Sequence, residues 1–206
     1  MQNVGLGSRI WRLSTSILLG CVSAFTTSIS SSFAQSNIVP DETLGATESS
    51  RVIFNFNGAP NDAIIGGAER GQNLFHSFRE FSVSENRGAY FLTPNANIEN
   101  IFARVTGSNA SQIFGTLGVR QANNFTPSTA NLYLMNPNGI LFGQNGRLDV
   151  GGSFLATTAN GIQFGNSGIY NASGGQPADV LTINPSAFLF NQISRGNITN
   201  RSVAPA

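Results

Sequence analysis

The chain has 206 residues (21.8 kDa), of which 10% are charged, all 11 basic ones being Arg, and its formal net charge is +1, or −1 without Arg9 and Arg12 near the start. That is no basic footprint for nucleic acid, and 40% hydrophobic residues with 16 Phe exclude a disordered chain. Few charges beside 23 Gly argue against amphipathic helices and for turns and stacked strands, in one domain behind a targeting segment.

Residues 1–34 read as a secretory leader: Arg9 and Arg12 give the positive start, residues 13–25 the apolar middle, and Ser32-Phe33-Ala34 a small-x-small cleavage site before Gln35. A competing reading takes Leu18-Leu19-Gly20-Cys21 as a lipoprotein signal with Cys21 acylated. The better-placed site at Ala34 would leave a mature chain without cysteine. Residues 38–50 form an extended entry. Residues 51–57 alternate as a strand, residues 57–62 turn the chain, and residues 63–65 resume it. Gly71 to Val83, GQNLFHSFREFSV, is aromatic-rich and holds His76, the only histidine. A lone His without Cys or His at ligand spacing is a poor metal site; His76 is expected as a hydrogen-bonded residue of that segment. Strand is predicted over 89–92 and 98–105, with Thr93-Pro94-Asn95 in the turn between, and residues 121–129 form a polar loop with Pro127.

The most legible stretch is residues 131–159, NLYLMNPNGILFGQNGRLDVGGSFLATTA. Leu132 and Leu134 alternate with Tyr133 and Met135 as a strand. Asn136-Pro137-Asn138-Gly139 then fits a type I turn at every position. Ile140, Leu141 and Phe142 resume the strand, Gly143 to Gly146 turn again, and Leu148 and Val150 face away from Asp149. Asn138-Gly139-Ile140-Leu141-Phe142-Gly143 is echoed 22 residues on by Asn160-Gly161-Ile162-Gln163-Phe164-Gly165, and more loosely by Asn184-Pro185 with Phe188-Leu189-Phe190. A repeat of this length made of short strands is the signature of a solenoid. The expected fold is all-β: a right-handed single-stranded parallel β-helix with an N-terminal cap and short extra-helical β excursions. At 22 residues per rung it would have roughly seven rungs and run on the order of 30 Å. Residues 162–170, 180–183 and 187–193 supply the last of them. On that register Phe142 stacks on Phe164, Ile140 on Ile162 and Asn138 on Asn160 in neighbouring rungs.

Residues 131–160, with Arg104-Val105-Thr106-Gly107 and Asn73-Leu74-Phe75-His76-Ser77-Phe78 upstream, resemble the amino-terminal secretion domain of filamentous-haemagglutinin-type exoproteins, the exported partner of two-partner secretion systems. The resemblance covers about residues 38–202, which divides the chain into a leader (1–34), the β-helix domain (35–202) and a tail (203–206). It implies passage through the general secretion machinery and a transient periplasmic stage. Recognition by an outer-membrane barrel transporter with periplasmic polypeptide-binding modules would follow, then folding at the surface of a Gram-negative-type cell. Asn136, Pro137, Asn138, Gly139 and Ile140 match the family's Asn-Pro-Asn-Gly-Ile motif. Its asparagines either contact the partner or build the corner. Thr93, Pro94 and Asn95 lie where the family carries a first Asn-Pro motif, with Thr in place of Asn. An adhesin or carbohydrate-binding module, with a host or surface ligand, is the alternative.

Parallel β-helices also carry polysaccharide-active enzymes, a third reading. Glycoside hydrolysis needs two carboxylates at a set separation, yet Asp149 has no acidic neighbour in sequence and is expected to bond nearby backbone N–H groups. Ser153, Thr157 and Thr158 lack any base but the distant His76. Residues 143–152 have no Lys-Ser/Thr of a P-loop and do not form tandem calcium repeats. No enzyme activity, cofactor or metal is expected.

Overall fold

The computed structural model describes residue 1, residues 34–191 and residues 196–204; residues 2–33 of the leader with Cys21, residues 192–195 and residues 205–206 lie outside this set. Three parallel sheets carry the coils. The first stacks β5 (Asn73–Ser82), β7 (Asn100–Val105), β10 (Asn131–Met135) and β13 (Phe154–Thr157). The second stacks β3 (Asn61–Gly66), β6 (Gly88–Thr93), β9 (Thr116–Gln121) and β12 (Arg147–Asp149). The third stacks β8 (Ser111–Ile113), β11 (Ile140–Phe142) and β17 (Ile198–Asn200), with Val83 bridging to Ile113 below. Each coil visits the first, third and second sheet in turn. The result is a single-stranded parallel β-helix, right-handed by the rule that governs parallel crossovers.

Successive coils are irregular in length. Asn73, Asn100 and Asn131 are in register, 27 and then 31 residues apart, whereas Leu132 pairs with Phe154 after 22. The expected seven rungs are therefore corrected to three coil-to-coil steps, about 15 Å from first to last strand. The coils are longer than the echo suggested, and both ends of the chain are spent elsewhere. The start forms the expected cap: β1 (Asn37–Pro40) runs antiparallel on β5, and β2 (Ser50–Ile53) antiparallel on β3, covering the first coil's open edges. β4 (Ala68–Arg70) also pairs antiparallel with β5.

The segment after Ala159 does not add rungs. β14 (Gly161–Phe164) pairs antiparallel with both β15 (Gly168–Asn171) and β16 (Ala187–Leu189), and residues 180–183 form no strand. The chain rejoins the helix only at β17, where Ile198 pairs with Ile140. Gly165 and Gly168 explain the difference from the matching stretch in the coil. Their φ values of 51° and 141° close a hairpin with the Ser167 N–H on Phe164 O, whereas Gly143 and Gly146 keep negative φ and turn a corner.

This excursion covers the outside of the first sheet, so that sheet is buried on both faces and β7 is buried at every position. Leu74, Ile101 and Leu132 face the interior of the coils with Phe91, Leu117, Ile113, Ile140 and Phe142. Phe75, Phe102 and Tyr133 stack on the other face, centroids 5.2 and 4.7 Å apart, under Phe164, Tyr170 and Leu181. Phe142 and Phe164 thus belong to different cores. Phe142 packs edge-on to Phe154 at 5.8 Å, and Phe164 against Phe102 at 5.1 Å. Ile140 pairs with Ser111 and Ile198, and Ile162 with Tyr170 and Phe188. The stacking expected of Phe142 on Phe164 and Ile140 on Ile162 does not occur.

Candidate functional site

The Asn136 to Ile140 corner joins the first sheet to the third. Asn136 is fully buried and its amide is consumed internally. Nδ2 donates to Asn109 O and Ser111 Oγ, both at 3.0 Å, while Oδ1 accepts the Asn138 N–H at 2.9 Å. The Gly139 N–H closes the turn on Asn136 O at 3.1 Å, and Gly139 takes a φ of 117°. Ile140 is buried in the interior. Pro137 is half-buried and Asn138 exposed. Both line an open cleft of about 480 Å³ with Thr106, Ser108, Asn160 and Asn171. Asn138 Nδ2 donates to Gly107 O at 2.7 Å across the cleft floor. Asn160 lies on the same rim but uses its Oδ1 to accept the Asn191 N–H, so the expected Asn138–Asn160 amide stack is absent.

Thr93-Pro94-Asn95 occupies a different corner, from the second sheet to the first. Thr93 is buried and donates weakly to Arg120 O at 3.4 Å, while Pro94 and Asn95 are exposed, Asn95 Nδ2 donating to Glu69 at 3.2 Å. The two motifs do not meet in one surface.

Two buried polar systems were not read from the sequence. The first is an asparagine ladder in another place than expected. Asn100 Nδ2 donates to Asn73 Oδ1 at 3.0 Å, and Asn131 Nδ2 to Asn100 Oδ1 at 2.9 Å. Ser153 N–H ends it on Asn131 Oδ1 at 2.8 Å, and Asn73 Nδ2 reaches Leu181 O and Ile183 O in the excursion. The signal was present as Asn-Leu-Phe, Asn-Ile-Phe and Asn-Leu-Tyr at the starts of three strands. The second is Arg104, fully buried. Its guanidinium donates to Ser77 Oγ, Asn171 O and Thr43 Oγ1, each at 2.8 Å, and to Gly175 O at 2.6 Å, and lies 4.3 Å from the Tyr170 ring centroid. One side chain thereby ties the cap, the first sheet and the excursion together. Asp41 accepts from Thr43, Ser77 and Thr106 in the same system. Burial raises its pKa, but these hydrogen bonds together outweigh that and hold it below the ordinary carboxylate value.

The histidine and the carboxylate weighed as catalytic groups have structural partners. His76 is fully buried between Phe78 and Phe91, with Nδ1 3.1 Å from Ser50 Oγ, as an aromatic-segment residue was expected to be. Desolvation depresses its pKa to about 3, and its ring nitrogen is engaged by Ser50 rather than by Ser153, Thr157 or Thr158. Asp149 does not bond backbone as expected; it pairs with Arg120 and accepts from Tyr90 Oη at 3.4 Å. Asp62 is buried against Arg87. Each acid is engaged by an arginine, and among the described residues no group of three or more His, Cys, Asp or Glu could hold a metal ion.

The heme/hemopexin-binding protein of Haemophilus influenzae is 38% identical over 82 residues, covering 39% of this chain and 8% of the relative's length. No solved structure matches. The TPS secretion domain matches residues 36–174, the cap, the coils up to β13 and the first hairpin of the excursion. The chain therefore belongs to the two-partner secretion family, exported proteins that carry this domain and reach the cell surface or medium through a partner outer-membrane transporter.

Proposed function

We propose that the leader at residues 1–34 delivers the chain to the periplasm, where polypeptide-binding modules of the transporter read the domain through Pro137, Asn138 and the cleft beside them. Asn136 builds the corner and does not touch the partner. The division of labour within the motif carries this reading: the Asn136 amide is spent inside the fold, while Asn138 faces solvent on a concave rim. Export then needs no ATP outside the cell. Each parallel coil can complete only on its predecessor, so the domain forms coil by coil as it emerges, and burial in each new coil opposes backsliding.

The test is a paired substitution. Asn138→Ala is expected to fold as the parent does and to bind the transporter's isolated periplasmic region about tenfold more weakly. Asn136→Ala is expected to lose about 2–3 kcal/mol of stability while binding normally once folded. Unchanged affinity in Asn138→Ala would move recognition away from the cleft, and a folded Asn136→Ala that no longer binds would return the contact to Asn136. Export that survives deletion of the transporter would end the reading altogether.

A further inference from the structure

The outer face of the second sheet carries a feature that the export role does not use. Along it, Gly88, Thr116 and Arg147 form one transverse row, and Tyr90, Gly118 and Asp149 the next, about 7 Å further along the strands. Tyr90 lies flat on the sheet because its neighbours are glycines: a Cβ on Gly118 would meet its ring at 2.6 Å, and one on Gly88 at 2.5 Å. The Arg120 guanidinium sits 5.0 Å from the Tyr90 centroid, held by Asp149. Phe125, from the loop after β9, packs edge-on to Tyr90 at 5.2 Å, and Phe56, from the cap, lies 5.5 Å from Phe125. Three half-buried rings from three separate segments so form one continuous aromatic surface.

Its construction is strained. Four described non-glycine residues have positive φ, and all four border this face: Asn55 at 54° and Asn57 at 55° on either side of Phe56, Phe125 at 58°, and Asn86 at 59°. Asn tolerates the left-handed region, but a bulky aromatic there is an outlier of the kind that gathers at functional sites. Asn55 is held by the buried Asp62–Arg87 pair, its N–H on Asp62 Oδ1 at 3.3 Å and its Oδ1 accepting from Arg87 at 3.0 Å. A buried charge pair thus sets the loop that presents Phe56.

Beside the rings, sharing Gly88, runs a groove of about 380 Å³ lined by Asn61, Asn86, Asn145 and Arg147. Arg147 is exposed and makes no ion pair among the described residues, while the carboxylates of Asp62 and Asp149 are already taken by Arg87 and Arg120. Ring faces flanked by amide side chains suit a ligand with an apolar face and a hydroxylated edge, and the free guanidinium suits a carboxylate on it. Strand addition by a peptide would use backbone groups along the open edge of β12, which pairs with β9 alone, and would call on neither the rings nor the Arg147 guanidinium. We infer that this face binds a saccharide carrying carboxylate groups: a sugar ring lies on Tyr90, Phe125 and Phe56, with its acid on Arg147.

Calorimetry on the mature chain with oligogalacturonate, against neutral maltohexaose, tests this. The acidic probe is expected to bind more tightly and to weaken with added salt. Arg147→Gln is expected to weaken it about tenfold and to remove the preference over the neutral probe. Phe125→Asn supplies the discriminating readout, because Asn accepts the left-handed backbone that strains Phe. It is expected to bind about tenfold more weakly, with a thermal midpoint no lower than the parent's and normal export. A lower midpoint with unchanged binding would make Phe125 a packing residue only and overturn the inference. So would an absence of heat, and of shifts in the Tyr90 and Phe125 ring protons, with either probe. A folded Phe125→Asn that fails to bind the transporter's periplasmic region would assign the face to that protein partner instead, and equally overturn it.

Discussion

Asn100 donates its side-chain amide to Asn73 one coil below, at 3.0 Å, and accepts that of Asn131 one coil above, at 2.9 Å. The same Nδ2 also reaches Asn184 Oδ1 at 3.0 Å, so the ladder joins three coils and the excursion that covers them. A side-chain amide carries its donor and its acceptor on separate atoms, so it can donate to one neighbour and accept from the next in an unbroken column. Asn100→Leu should therefore leave a buried acceptor on Asn73 and a donor on Asn131, and lower stability by about 2–4 kcal/mol. Asn100→Asp can still accept from Asn131 but cannot donate when ionised. Its carboxyl pKa should rise in the fold, so its deficit relative to the parent should shrink as pH falls. Urea unfolding of both variants at several pH values checks the column; a deficit in Asn100→Leu no larger than for a surface substitution would remove it from the structure's energetics.

The ladder also shows what the sequence displayed and what it concealed. The tight turn at 136–139 and the strands on either side followed from local patterns, because turn chemistry and alternation act over a few residues, whereas the parallel helix rested on the repeat and the cap on the family resemblance. Register did not. A search for one fixed period found the 22-residue echo of Asn-Gly-Ile-x-Phe-Gly, whose two copies lie in different cores, while the true in-register triplet begins at Asn73, Asn100 and Asn131. Corner loops lengthen one coil and not the next, and the two strands of the echo part company through the backbone at Gly165 and Gly168. Arg104 was silent for a related reason: its partners come from Thr43, Ser77, Asn171 and Gly175, which only the fold brings together.

His76 makes the stability of the domain pH-dependent. Its folded pKa of about 3, set by desolvation, lies below the ordinary value of 6.5, so the folded state holds it neutral while the unfolded chain protonates first. Stability is full above pH 6.5, falls as pH drops from there toward 3, and stops falling on this account below 3, with a slope approaching about 1.4 kcal/mol per pH unit within the window. Asp41, depressed from 3.8, adds a loss of the same sign only below that value. His76→Phe removes the titrating group and forfeits one hydrogen bond, to Ser50, since Nε2 has no partner. It should match the parent at pH 7.5 within about 1 kcal/mol and flatten the profile between pH 4 and 6. A parent whose stability does not change across that interval would show that His76 is hydrated in solution.

Phe142 and Phe164 provide the sharpest check on register. In a rung-on-rung stack the two rings would touch, and their truncations would couple by about 0.5–3 kcal/mol. Here Phe142 fills the interior beside Phe154, and Phe164 pins the excursion onto Phe75 and Phe102 on the far side of the first sheet. Each Phe→Ala change should cost about 3–5 kcal/mol, and the double variant should equal the sum within about 0.5 kcal/mol. Hydrogen exchange should separate them further. Phe164→Ala is expected to release protection over β14, β15 and β16 first, because their antiparallel sheet hangs on this contact, whereas Phe142→Ala should loosen β8, β11 and β12 together. A coupling energy above 1 kcal/mol would contradict the two-core arrangement, and with it the placement of the excursion outside the helix.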